Sequence, residues 1–195
     1  MRRPLAAPLC AAALLAGCGA ADLHRPPNAP LPAGSRPIGT ATAFHPPAPA
    51  RAVRSCPRRL GARYGAHLEL FAEDRVVLLP AGIGVGRPMR LEQARVTSAR
   101  CYGPFVTLDP TGTVAIRPGP PPTLGDVFDQ WGATLTRTRV LGFRAPAGGR
   151  VRAYVGGREV AGDPRRVRLF RHSEVVLEVG PYVRPHRSYA FQPPL

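Results

Sequence analysis

Apolar and polar positions alternate along Ala66-His67-Leu68-Glu69-Leu70-Phe71, which puts Ala66, Leu68 and Leu70 on one face of a strand and His67 with Glu69 on the other. A second apolar run, Val76-Val77-Leu78-Leu79, follows Ala72-Glu73-Asp74-Arg75, so the two predict a hairpin. Pro80 to Gly86 reads as a loop. Its G-x-G-x-G spacing lacks the helix and following acidic residue of a dinucleotide fingerprint. Further short strands are predicted at Phe105 to Leu108 and Val114 to Arg117, divided by the turn former Asp109-Pro110-Thr111-Gly112.

One segment carries a helical period. Leu124, Val127, Phe128 and Trp131 fall at i, i+3, i+4 and i+7; Thr123 is placed to cap them, Asp126 lies near the positive end of the dipole, and Gly132 ends the helix. Trp131 is therefore read as core. Strand patterns resume with Val151, Ala153 and Val155, a Gly156-Gly157 turn and a return over Arg158 to Ala161. Gly162-Asp163-Pro164-Arg165 turns the chain, and Val175, Leu177 and Val179 share a face of another strand. The end, Pro181 to Leu195, holds four prolines with Tyr182, Tyr189 and Phe191, and predicts an extended strap. The expected fold is mainly β (α+β): a small antiparallel β domain with one packed short helix, either a sandwich or β-grasp-like.

The N-terminal third has no such period. Residues 1-17 hold a basic head, Arg2-Arg3, and about 13 mostly apolar residues from Leu5 to Gly17, well under the roughly 20 needed to span hydrocarbon. This is the form of a signal peptide. Residues 18-53 are rich in Pro and Ala, an extended tether in the polyproline manner that lifts the domain off a bilayer, with His24 and His45 read as solvated. Residues 54-195 form the expected single β-rich domain.

Composition changes this picture in one respect. The 195 residues carry 27 basic side chains, all arginine, against 12 acidic ones, a formal net charge of +15. The arginines are scattered in the sequence, with short clusters only at Arg58-Arg59 and Arg165-Arg166, and lack the stripe interleaved with aromatics that marks nucleic-acid binders. Cysteine usage points to an oxidising compartment. Cys10 lies in the signal segment, which leaves Cys56 and Cys101 as an expected disulfide beside Cys18; metal ligation and buried free thiols are the alternatives. Such a link contributes roughly 4 kcal/mol as an upper figure.

Leu15-Ala16-Gly17-Cys18 resembles the bacterial lipobox. The resemblance implies diacylglyceryl attachment to Cys18, cleavage before it, and a lipoprotein held on the extracytoplasmic face of the cell membrane, out of reach of nucleic acid. Two acyl chains anchor stably where one is marginal. Removing the signal leaves a net charge of about +13, which points to anionic envelope polymers or lipid head groups as partners.

A second resemblance covers residues 54 to 195. Ala66-His67-Leu68-Glu69-Leu70-Phe71, Leu79-Pro80-Ala81-Gly82-Ile83-Gly84-Val85, Thr123-Leu124-Gly125-Asp126-Val127-Phe128-Asp129-Gln130-Trp131-Gly132, Ala153-Tyr154-Val155-Gly156-Gly157 and Gly162-Asp163-Pro164-Arg165 follow one another in order. Together they resemble a family of secreted or membrane-anchored prokaryotic proteins without an assigned activity. Its pattern includes H-x-H-A-H-L-x-I-F, C-L-Y-x-L-H-T-H-D and T-L-G-x-F-F-x-x-W-G. The full pattern looks like a metal binder, because alternating histidines put imidazoles on one strand face. Here Arg63, Gly65, Val106, Leu108 and Ala115 stand at histidine positions, leaving His67 and Asp109 as remnant candidates, with His172 as a more distant one.

No G-x-S-x-G elbow, H-E-x-x-H or P-loop motif is present, and the acids are too scattered to suggest paired glycosidase carboxylates. The reading is a lipid-anchored, noncatalytic binding or structural module without cofactor. The alternative is a metal-binding domain or metalloenzyme relative with a degenerate site around His67, Cys101 and Asp109, which requires a free Cys101 thiolate.

Overall fold

The computed structural model describes residues 43–49, 51–73 and 75–195. The signal segment, Cys18 and His24 lie outside the described residues. The expected mainly β domain with one helix is what the chain forms. Its centre is a long strand, β1 (Tyr64–Ala72), whose apolar alternation continues past the stretch legible in sequence. β2 (Arg75–Val77) returns antiparallel, pairing Leu70 with Val77. The other end of the same edge is taken by β6 (Thr113–Ile116), with Tyr64 opposite Ile116 and His67 opposite Thr113. Beyond β6 lies β5 (Phe105–Val106). On the opposite edge β11 (Glu174–Val179) runs parallel to β1, followed by β9 (Arg152–Val155) and β10 (Arg158–Val160), both pairings antiparallel.

A parallel central pair made from the first and last strands, flanked by antiparallel neighbours and crossed by one helix, is β-grasp-like rather than a sandwich of two full sheets. The helix α1 (Leu124–Trp131) begins with a complete capping box between Thr123 and Asp126 and ends on Gly132 in the left-handed conformation, as its sequence predicts. It lays Leu124, Val127, Phe128 and Trp131 onto Ala66, Leu68, Leu70, Val175 and Leu177. Phe128 is fully buried, so this face is the main core.

Two small hairpins lie off the sheet. One pairs β7 (Arg139–Val140) with β8 (Phe143–Arg144). The other was not legible in sequence: β3 (Val85–Glu92) and β4 (Arg95–Tyr102) form a bulged ribbon, and Val85 and Gly86, expected in a loop, open it. The mostly polar pattern of this ribbon arises because most of its side chains face outward. Part of the tether is also docked. Phe44 bonds through its N–H to Val76 O (2.8 Å), accepts from Leu78 N–H (3.0 Å), and stacks edge-on against Phe143. Among the described residues no helix is long and apolar enough to cross a membrane.

Candidate functional site

The face of the sheet opposite α1 carries the odd-numbered side chains of β1. Parallel pairing of β1 with β11 sets His67 directly opposite Glu174, and strand alternation brings Glu69 to the same face. His67 Nδ1 lies 2.8 Å from Glu174 Oε2, with His67 and Glu174 both almost wholly buried. The turn after Asp109 delivers Thr111 O to 2.9 Å from His67 Nε2. Gly112 makes that approach possible: its φ is +88°, and a Cβ there would collide with Leu68 O and the His67 ring.

The strap completes the group. His186 Nδ1 lies 2.7 Å from Glu69 Oε1, and the Tyr189 ring stacks flat on His67 at 3.7 Å between centroids. His67, Glu69 and Glu174 each present a donor atom within 4.8 Å of the others. A carbonyl oxygen only accepts, so Nε2 of His67 is protonated and donates to Thr111 O. Nδ1 and the Glu174 carboxyl therefore share a proton, and His186 Nδ1 is hydrogen-bonded to Glu69. Burial pushes the Glu174 carboxyl above its ordinary range, opposed by its hydrogen bond to His67. Its second oxygen, Oε1, is buried without a hydrogen-bond partner.

Further along the same face Glu178 is fully buried and ion-paired with Arg152 at 3.1 Å. Burial and the neighbouring Glu178 raise the Tyr154 phenol to about 12. Beyond His67, the resemblance would place imidazoles at 63, 65, 106, 108 and 115. In their stead Arg63 donates to Leu60 O, Pro104 O and Ala115 O, and burial lowers its guanidinium to about 10. Gly65 leaves the room that the Phe191 ring fills. Leu195 packs with Val106 and Ala115. The strap thus fills the space beside Gly65 and covers the cluster that includes Val106 and Ala115.

The sequence-derived candidates are only partly brought together. His67 is buried and satisfied rather than a surface residue. Asp109 is not among the donors converging on it: one oxygen accepts from Thr111 N–H at 3.2 Å and the other faces Arg95 at 3.4 Å, which is the work of a turn former. Cys101 forms the expected disulfide with Cys56 and offers no thiolate, so the His67, Asp109 and Cys101 donor set is not assembled. His172, in a turn with φ +58°, faces Leu195 O at 3.1 Å and the Phe191 ring. Glu174 is not singled out by the sequence reading, and His186 reads there only as a tail residue. The signal available for Glu174 was a pair of acids, Glu174 and Glu178, on the strand face opposite Val175, Leu177 and Val179, which is costly unless that face has polar partners.

A second feature is electrostatic. The β3–β4 ribbon exposes Arg87, Arg90, Arg95 and Arg100 and a single acid, Glu92. The chain entering from the tether lies along it: Arg87 donates to Pro49 O, Arg100 to Val53 O and Arg54 O, Tyr102 N–H to Pro57 O, and Cys56 is bonded to Cys101. That segment adds exposed Arg51, Arg54, Arg58 and Arg59. Arginines scattered in sequence are thereby gathered at the point where the tether joins. An open crevice of about 270 Å³ between Phe44, Trp131 and Leu141 is lined by apolar and small residues without a titratable group. Comparison with protein-family models, with curated proteins and with solved structures found no match to this chain.

Proposed function

We propose that the protein is a noncatalytic module of the cell envelope, lipid-anchored through Cys18, that docks electrostatically onto anionic surfaces. The observation that carries this reading is the basic ribbon at the tether junction. A chain moored at Cys18 presents first the part of the domain nearest its tether, and that part is rich in exposed guanidinium groups. Such groups act on anionic head groups or polymers through long-range attraction without needing a pocket, at roughly 1 kcal/mol per basic residue near a charged bilayer. The noncatalytic part of the reading rests on the sequence, in which no G-x-S-x-G elbow, H-E-x-x-H or P-loop motif occurs.

Two measurements test it. Intact mass of the membrane-extracted protein is expected to show cleavage before Cys18 with added diacylglyceryl; a mature form that washes off without fatty acid removes the anchor from the reading. For docking, unlipidated Cys18→Ser protein without residues 1 to 17 is sedimented with phosphatidylglycerol vesicles and, in parallel, with isolated wall polymers. Association is expected to fall at least tenfold between about 20 mM and about 500 mM salt, and to fall comparably in Arg87→Gln/Arg90→Gln/Arg95→Gln. Binding insensitive to salt in both arms overturns electrostatic docking.

A further inference from the structure

We propose that His67, Glu69, Glu174 and His186 form a site for one borderline divalent metal ion of the zinc class, which staples the C-terminal strap to the sheet. The site is independent of the anchor and the basic ribbon, so its failure leaves those readings untouched.

The first argument is geometric. Ligand atoms around a tetrahedral ion with bonds of about 2.0 to 2.2 Å lie roughly 3.3 to 3.6 Å apart. The three sheet donors already fall within 4.8 Å of one another, and small rotamer changes close the difference. His186 lies outside these three, with Nδ1 2.7 Å from Glu69 Oε1, and becomes a ligand by moving in beside that carboxylate as the strap closes.

Orientation supplies the second argument. An imidazole that binds metal through one nitrogen commonly donates its other N–H to a backbone carbonyl or carboxylate, which fixes tautomer and ring plane. His67 has this arrangement in place: Nε2–H is committed to Thr111 O, and Nδ1 faces the carboxylates. Tyr189 stacked on the ring prevents it from turning away.

The third argument is polar accounting. His67 and Glu174 are almost wholly buried beside Glu69, and His186 comes to them on the strap. A proton bridges His67 Nδ1 and Glu174, and a hydrogen bond joins His186 to Glu69. Glu174 Oε1, on a residue almost wholly buried, is left without a hydrogen-bond partner. A divalent cation replaces the bridging proton, balances two carboxylates and gives that oxygen a ligand, with His186 binding as a neutral imidazole whose proton sits on its other ring nitrogen: metal ion enters and one proton leaves. The two nitrogen donors favour zinc and its neighbours over calcium or magnesium, which prefer oxygen shells.

One ligand comes from the strap and three from the sheet, so occupancy ties Pro181 to Leu195 down. The test uses the mature chain stripped with chelator and titrated with zinc chloride, with magnesium and calcium chloride as comparisons. Expected are one zinc per chain by elemental analysis after gel filtration, a rise of several degrees in Tm at saturating zinc, and slower proteolysis of the strap. Affinity is expected to fall at least tenfold in both Glu174→Gln and His186→Ala. Gln at 174 still bonds to His67, and His186 lies on the strap, so both variants keep the sheet; their metal-free Tm checks this. The proposal is overturned by a zinc Kd weaker than about 100 µM, by affinity unchanged in either variant, which assigns the zinc to His24, His45 or His172, or by magnesium matching zinc.

Discussion

The two faces of the central sheet are covered in opposite ways. On one, α1 lays a continuous apolar stripe into the cluster of Ala66, Leu68, Leu70, Val175 and Leu177. On the other, the same two strands present His67, Glu69, Glu174 and Glu178, and the cover is a strap without regular structure that adds Tyr189, Phe191 and His186. The helix face gains its free energy from area removed from water, which is tolerant of detail. The strap face is held by a few specific partners, and a buried polar group that loses its partner costs free energy instead of merely failing to contribute. The first face is held by area and the second by pairing.

The largest effect that tests this contrast is Phe128→Ala on the helix face. Truncating a fully buried aromatic is expected to cost about 3 to 5 kcal/mol by urea unfolding, a large share of the stability of a domain this size. Truncation after Gly180, which removes the strap, is expected to cost less, about 2 to 3 kcal/mol from the half-buried aromatics it carries, while leaving one cooperative transition. If removing the strap unfolds the chain and Phe128→Ala does not, the assignment of the two faces is reversed.

Gly65→Val sharpens the comparison from the sheet side. The new side chain meets the Phe191 ring, and overpacking of this kind is expected to cost about 1 to 3 kcal/mol. Adding Phe191→Ala should recover part of that loss, a positive coupling in a double-mutant cycle. Equal losses with and without Phe191 would place the strain in the backbone of β1 instead.

The smallest expected effect concerns pH. Burial raises the Glu178 carboxyl above its ordinary value of 4.5, with Arg152 opposing. A carboxyl raised in the native state holds its proton where the unfolded chain has already released it. Glu178 therefore lowers stability progressively as pH rises from about 4.5 through the native value, and the loss is reversed on acidification. In Glu178→Gln the unfolding free energy measured between pH 4 and 7 is expected to lose this downward component. An unchanged slope would show that Arg152 fully compensates the buried charge.

The sequence by itself determined the elements whose signals are local. The capping box, apolar period and terminal glycine define α1 to the residue, and alternation on β1 and β11 separates an apolar face from a polar one. It also offered Cys56 and Cys101 as a disulfide, with metal ligation and buried thiols as alternatives, and the structure closes that bond. Tertiary structure alone decided that His67 faces Glu174, since parallel register between strands more than a hundred residues apart leaves no local trace. It alone gathered scattered arginines along β3–β4, whose bulged pairing and outward side chains blur the period of two. It also alone brought His186 to Glu69, because a proline-rich strap has no periodicity and takes its path from the surface it covers. Local patterns record which face of an element is apolar; they do not record what comes to lie on the other face.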